Sequence, residues 1–151
     1  MRKILLNIGK LAVFAAVVLW FFSAPRPLDQ AQFDGLTGDL ARGQHLFIAG
    51  GCASCHAPEG ATGDAALVMA GGRALASPFG TFYAPNISPS NNGIGGWDAY
   101  DLGHAMLRGT SPDGRHYYPA FPYTSYIKLE PQDIVDLKLY LDTLPLSDAI
   151  S

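Results

Sequence analysis

The sequence predicts a small all-α domain of about three main helices, carried behind an N-terminal transmembrane helix. Three observations point there. Leu11 to Phe22 is unbroken apolar sequence preceded by the basic residues Arg2, Lys3 and Lys10, the pattern of an export or membrane segment. Ile134, Leu137, Leu141 and Leu144 recur at helical spacing behind Pro131, a residue suited to the first turn of a helix. The 151 residues include 17 glycines and 11 prolines, so much of the chain is loop and the protein core is small.

Residues 1–24 read as a signal anchor. Ile4 to Ala24 counts 21 residues, against the roughly 20 that span a bilayer. Asn7 and Lys10 weaken the inner end, where Lys10 can snorkel to the headgroups. The alternative is a cleaved signal peptide. Bulky Phe22 stands where a cleavage site wants a small residue, and Pro25 would follow the cut, which favours retention. With Arg2 and Lys3 inside, everything after Trp20 lies outside the cytoplasm: a single-pass inner-membrane protein with its domain on the periplasmic side.

Pro25 to Gly38, with two prolines and two glycines, reads as a linker. Residues 39–151 form one domain without repeats. Its first helix is capped by Asp39 and runs to about Ala49, with Leu40, Gly43, Leu46 and Phe47 facing inward.

That helix delivers Cys52-Ala53-Ser54-Cys55-His56. Two cysteines separated by two residues, with histidine next, form the attachment signature of a c-type haem. Both thiols add to the vinyl groups along one porphyrin edge, and His56 reaches the iron from one face as proximal ligand. A thioredoxin-like pair uses the same spacing but needs a βαβ pattern that is missing here. A zinc site needs about four ligands, and with 2 cysteines it would have to recruit scattered histidines. Commitment of both thiols to haem leaves none for a disulfide. One covalent haem c also supplies the apolar filling that the loop-rich chain lacks.

Residues 57–96 form a long Gly-, Pro- and Asn-rich stretch, expected to wrap the haem. Phe79, Phe82 and Tyr83 offer aromatic faces to the porphyrin, or else are plain core. Trp97 opens a helix of about a dozen residues that ends at Arg108-Gly109, with Leu102, Ala105 and Met106 inward and Gly as the stop signal. Ser111-Pro112-Asp113-Gly114 is a turn. Arg115 to Tyr126 is a Pro-braced aromatic loop, and the final helix runs from Pro131 to Pro145 and contacts the first.

Taken together, residues Arg42 to Pro145 resemble a class I cytochrome c domain. More narrowly, they are similar to the domains in membrane-bound cytochrome c subunits of bacterial alcohol, gluconate and related dehydrogenases. The resemblance rests on Ala49-Gly-Gly-Cys52-Ala-Ser-Cys55-His56, on Gly71-Gly-Arg-Ala-Leu75, on Pro78 to Pro89, on Gly95-Gly-Trp97, and on His116 to Tyr126. It implies a small class I cytochrome c fold, haem c, electron transfer and a periplasmic location. Such subunits often carry two or three haem domains, whereas this sequence carries one attachment motif.

The departure from the family lies at the sixth iron ligand. The methionine expected before the last helix is replaced at or near its place by Phe121 and Leu129. Met106 leads the remaining candidates and His116 is the alternative; Met69 and His104 follow, and a vacant position is the last option. His45, on the first helix, is expected to be exposed and no ligand. Arg73, Trp97, Arg115 and the loop containing Tyr118 are candidates for the haem propionates; with Phe79 and Asn86 they complete the expected cofactor contacts.

Three of the ten Lys and Arg lie in the anchor, leaving 7 − 13 = −6 for the exported part. That charge disfavours a nucleic-acid partner. No acid–base or nucleophilic constellation is present, so catalysis by protein groups is not expected. The leading expectation is an electron carrier between redox proteins such as a membrane dehydrogenase, a quinol-oxidising complex or a terminal oxidase. The alternatives are a haem sensor or peroxidase-like protein with an open sixth position, and an accessory subunit fixed within a respiratory complex.

Overall fold

The computed structural model describes residues 2–118, 120 and 123–150. Its elements in order are helix α1 (Arg2–Ser23), α2 (Leu40–Ala49), α3 (Cys52–His56), strands β1 (Ala74–Ser77) and β2 (Gly80–Tyr83), and helices α4 (Ala99–Gly103), α5 (Tyr123–Tyr126) and α6 (Pro131–Leu141). Single 3-10 turns lie at Gln30–Gln32 and Gly63–Leu67.

Helix α1 is long and apolar enough to cross a membrane over Lys3–Ser23, and none of that span is buried inside the molecule. Met1 of the expected 1–24 segment lies outside the described residues.

The stretch read as a linker is held against the domain from Leu28 onward. Leu28 is buried; its N–H donates to His104 Nε2 at 3.4 Å and its carbonyl accepts from Tyr100 Oη at 3.0 Å. Phe33 stands edge-on to Tyr100, with ring centroids 5.7 Å apart. A Cβ on Gly103 would come within 2.9 Å of the Phe33 ring, so glycine is what admits this segment. Gln132 Nε2 donates to Thr37 O at 2.9 Å. The free tether is therefore a handful of residues after Ser23.

Helices α2 and α6 form the scaffold. Asp39 caps α2 by accepting from Arg42 N at 2.9 Å. Gly43 lets the two helices cross with their backbones touching: a Cβ there would lie 2.1 Å from Asp136 O. Phe47 and Tyr140 pack across the crossing at 5.2 Å between ring centroids. The Asp136 carboxylate, 0% exposed, accepts from Asp39 N at 2.7 Å, Arg42 Nε at 2.7 Å and Gln132 Nε2 at 2.8 Å. A buried charge is tolerable only with such partners. Leu40, expected to face inward, is exposed, because the helix turns Gly43 and Phe47 toward α6 instead.

Two expectations are corrected here. The domain is mostly helical rather than all-α, since β1 and β2 pair antiparallel with Leu75 opposite Phe82 and Ser77 opposite Gly80. Pro78 and Gly80 supply the turn chemistry, and Ser77 Oγ closes it by accepting from Phe79 N at 3.1 Å. The helix assigned to Trp97 starts at Ala99. Asp98 and Asp101 cap it reciprocally at 2.8 and 3.2 Å, while Trp97 N donates to Ile94 O in the preceding turn at 3.1 Å. After Gly103 the helix widens into one π turn, His104–Arg108, which stops at left-handed Gly109 (φ 64°). A core that includes Phe47, Met69, Leu102, Ile134, Leu137 and Leu141 fills the space between α2, α4 and α6.

Candidate haem-attachment site

Helix α2 ends at Gly50, whose N–H donates to Leu46 O at 2.8 Å. Gly51 then takes a left-handed conformation (φ 66°) and starts α3 at a new angle, a conformation glycine adopts without a Cβ penalty. Ser54 Oγ donates back to Gly51 O at 2.6 Å. On this single turn Cys52 and Cys55, three residues apart, share one face. Both are free thiols and partly exposed. Burial pushes the Cys52 thiol up to about 11, so it is neutral at pH 7. A reactive redox cysteine needs a stabilised thiolate, the opposite condition. Among the described residues no group of three or more His, Cys, Asp or Glu is placed to hold a metal ion.

His56 ends α3 and donates Nδ1–H to the Pro85 carbonyl at 2.8 Å. That bond fixes the tautomer and leaves Nε2 as the lone-pair nitrogen, as a metal-ligating histidine requires. Burial holds His56 below the ordinary imidazole range, and the Pro85 hydrogen bond only partly opposes it; the ring is neutral at pH 7. Gly71 makes the arrangement possible. Its N–H donates to His56 O at 2.8 Å, its φ is +70°, and a Cβ there would lie 2.5 Å from the Pro85 carbonyl. Two thiols on one face and an imidazole whose Nδ1–H is taken up by the Pro85 carbonyl fit a covalently attached haem.

The other predicted contacts are spread around this centre. Arg73 Nη1 donates at 2.6 Å to the carbonyl of Ser54, the residue before Cys55. Tyr118 stacks on Phe82 with centroids 3.6 Å apart and planes 7° from parallel. Trp97 packs half-buried on the core. Phe79 sits at the hairpin tip, 82% exposed. Asn86 is 4% exposed, and its amide donates to Ser147 O and Ala149 O. Arg115 pairs with Asp113 in an exposed turn at 2.8 Å. Pro119, Phe121 and Pro122 of the aromatic loop lie outside the described residues.

The candidates for the sixth position separate by environment. Met69 is 0% exposed within the core. His104 accepts from Leu28 N through Nε2. His116 is exposed and donates Nε2–H to Ser23 O at 2.7 Å, at the end of α1. Met106, on the π turn, lines a cavity of about 220 Å³ with His116, Tyr117, Tyr123 and Ile127. His45 is exposed.

Two residues matter here that reading the sequence as single sites did not pick out. Pro85 lies 29 positions from His56, and Gly71 sits at the end of a loop without periodicity. No local pattern marks a carbonyl as the partner of a distant ring. Tyr126 adds a third tie, donating Oη to Gly50 O at 2.6 Å.

The family model described as Cytochrome c matches residues 40–145. The chain is 51% identical over 148 residues to a protein named diheme cytochrome c-type from Cereibacter sphaeroides, covering 97% of this chain and 50% of that protein. It is 38% identical to the fructose dehydrogenase cytochrome subunit of Gluconobacter japonicus, over 69% of this chain and 21% of that protein. It is 35% identical to the gluconate 2-dehydrogenase cytochrome c subunit of Pantoea cypripedii, over 83% of this chain and 27% of that protein. The chain thus spans half or less of the length of these relatives. With Cys52 and Cys55 on one face, the His56 imidazole oriented by Pro85 and the family model matching residues 40–145, the chain belongs to the cytochrome c family and resembles the cytochrome c subunits of dehydrogenases.

Proposed function

We propose that this chain is a membrane-tethered monohaem electron carrier, anchored in the inner membrane by α1 with its haem domain on the periplasmic side. The observation that carries the reading is the His56 Nδ1–Pro85 O hydrogen bond at 2.8 Å beside the two free thiols. When bound, haem c supplies one-electron exchange between ferrous and ferric iron. Cys52 and Cys55 hold its edge, His56 holds the iron, and Pro85 keeps His56 oriented and electron-rich. Arg73, Trp97 and the Tyr118 loop are the leading residues for the propionates; the amide of Asn86 is already engaged by the C-terminal chain. Met106 would supply the second iron ligand, with His116, which lines the same cavity, as the alternative.

Donor and acceptor are redox proteins: a membrane dehydrogenase or quinol-oxidising complex on one side, a further carrier or terminal oxidase on the other. The names of the dehydrogenase subunits among the relatives support that class of partner. The short free tether favours a carrier fixed beside its partner over one that roams. A signal peptide would meet the same length and composition as α1, so recovery of the haem protein in the membrane fraction is part of the test.

Absorption and magnetic circular dichroism spectra in both oxidation states test the site. A charge-transfer band of methionine on ferric iron, lost in Met106→Leu, together with resistance of the reduced protein to carbon monoxide, supports the carrier. A high-spin ferric spectrum with ready carbon monoxide binding would replace it with a ligand-binding haem protein.

A further inference from the structure

The structure docks the C-terminal tail on the loop that follows Pro85, using side chains at alternate positions. Asn86 Nδ2 donates to Ser147 O at 2.7 Å and to Ala149 O at 3.0 Å. Ser90 Oγ donates to Ser147 O at 2.6 Å. Ser147 N donates to Ser88 Oγ at 3.2 Å, and Asn92 Nδ2 donates to Asp148 O at 2.8 Å. Asn86, Ser88 and Ser90 are buried at 4%, 0% and 5% exposure. Buried polar groups of this kind need partners, and here the partners are backbone groups of the tail. A carbonyl has two lone pairs. Ser147 O is therefore filled by its two short donors, Asn86 and Ser90, which leaves Ser88 Oγ to donate to Ser90 Oγ at 3.1 Å.

The loop so clamped is the one that orients the proximal ligand. The carbonyl that accepts from His56 belongs to the Pro85–Asn86 peptide, and proline brings no N–H of its own to anchor it. On the other side of that peptide the Asn86 side chain is fixed at both ends: Nδ2 holds the tail, and Oδ1 accepts from Ser88 N at 2.9 Å. A Cβ on Gly93 would lie 2.2 Å from Ser88 O and 2.9 Å from Asn86 Oδ1, so the turn closing behind the clamp leaves no slack.

We infer that residues 147–149, gripped by Asn86 and Ser90, position the Pro85 carbonyl and thereby set the strength of the His56 hydrogen bond. Asn86 and Ser90 are positioning residues that act through Pro85. The inference rests on His56 being the proximal ligand. A firm Nδ1–H···O bond raises ligand basicity and favours ferric iron, so loosening the clamp raises the reduction potential.

The test uses the full haem-loaded chain and its Asn86→Ala and Ser90→Ala variants. Nuclear magnetic resonance follows solvent exchange of the His56 Nδ1 proton, and redox titration follows the midpoint potential. The expected result is exchange at least tenfold faster in Asn86→Ala, a smaller acceleration in Ser90→Ala, and potentials shifted upward in the same order. Unchanged exchange and potential in both variants, with only a lowered melting temperature, would overturn the inference and leave the clamp a stabilising contact. Should Asn86→Ala fail to fold, Ser90→Ala decides between the two. Failure of the parent chain to bind haem at His56 would instead refute the functional reading on which the inference stands.

Discussion

Asp136 is a buried carboxylate held by three hydrogen-bond partners. Burial pushes its carboxyl up, but the Arg42 guanidinium, the Asp39 N–H and the Gln132 amide outweigh burial and hold it below the ordinary carboxylate value. A depressed native value means that the stabilisation is complete above the ordinary carboxylate range and is lost as pH falls through the native value. Asp136→Ala also leaves Asp39 N without its acceptor, so it should cost about 2 kcal/mol in denaturant unfolding and flatten the acid limb of the stability profile. An acid limb identical to the parent's would show that other carboxylates dominate. Gly71 makes an equally specific claim. Gly71→Ala forces a Cβ to within 2.5 Å of the Pro85 carbonyl at a left-handed φ of +70°. Strain of that kind costs roughly 1–3 kcal/mol, and the variant should show both a lower melting temperature and an altered His56 environment in the haem spectrum.

The elements differ in how legible they were. Asp39, Pro131 and the spacing Ile134, Leu137, Leu141 are local signals, and α2 and α6 begin and pack where those signals put them. Gly43 was readable as a close-packing position because it shares a helix face with Phe47. The hairpin was not, since four-residue strands in a Gly- and Pro-rich stretch give too short an alternation to detect. The start of α4 was missed by two residues because a reciprocal Asp98–Asp101 cap outranks an aromatic residue as a helix start. The docking of Leu28 and Phe33 was hidden for a different reason: two apolar residues among prolines and glycines show no period, and their receptor is a glycine 70 or more positions away in α4. In the candidate site, Cys52, Cys55 and His56 stand out in the sequence because they form one contiguous motif. Pro85 and the Asn86 clamp depend on distant contacts. Gly43→Ala tests the element scale: its Cβ would lie 2.1 Å from the Asp136 carbonyl, so the helices must part, at a cost of about 3 kcal/mol. A variant with unchanged stability would mean that the crossing is looser than described.

At the scale of the whole molecule, an apolar helix is joined by a short tether to a domain built around one attachment motif. Leu28 to Gly38 packs with that domain, so removing residues 1–27 should give a soluble protein with an unaltered haem spectrum. Removing residues 1–38 should lower its melting temperature, because Gly103 and Tyr100 lose Phe33 and Leu28. If the two truncations melt alike, the linker contacts contribute nothing. The central claim, covalent haem held by Cys52, Cys55 and His56, is tested most directly by a pyridine haemochrome spectrum after acidic acetone extraction of protein matured in a haem-attaching host. One haem c per chain that stays with the polypeptide, and that Cys52→Ala or Cys55→Ala makes partly extractable, is the predicted result. Haem that extracts completely from the parent, or no haem at all, would contradict it.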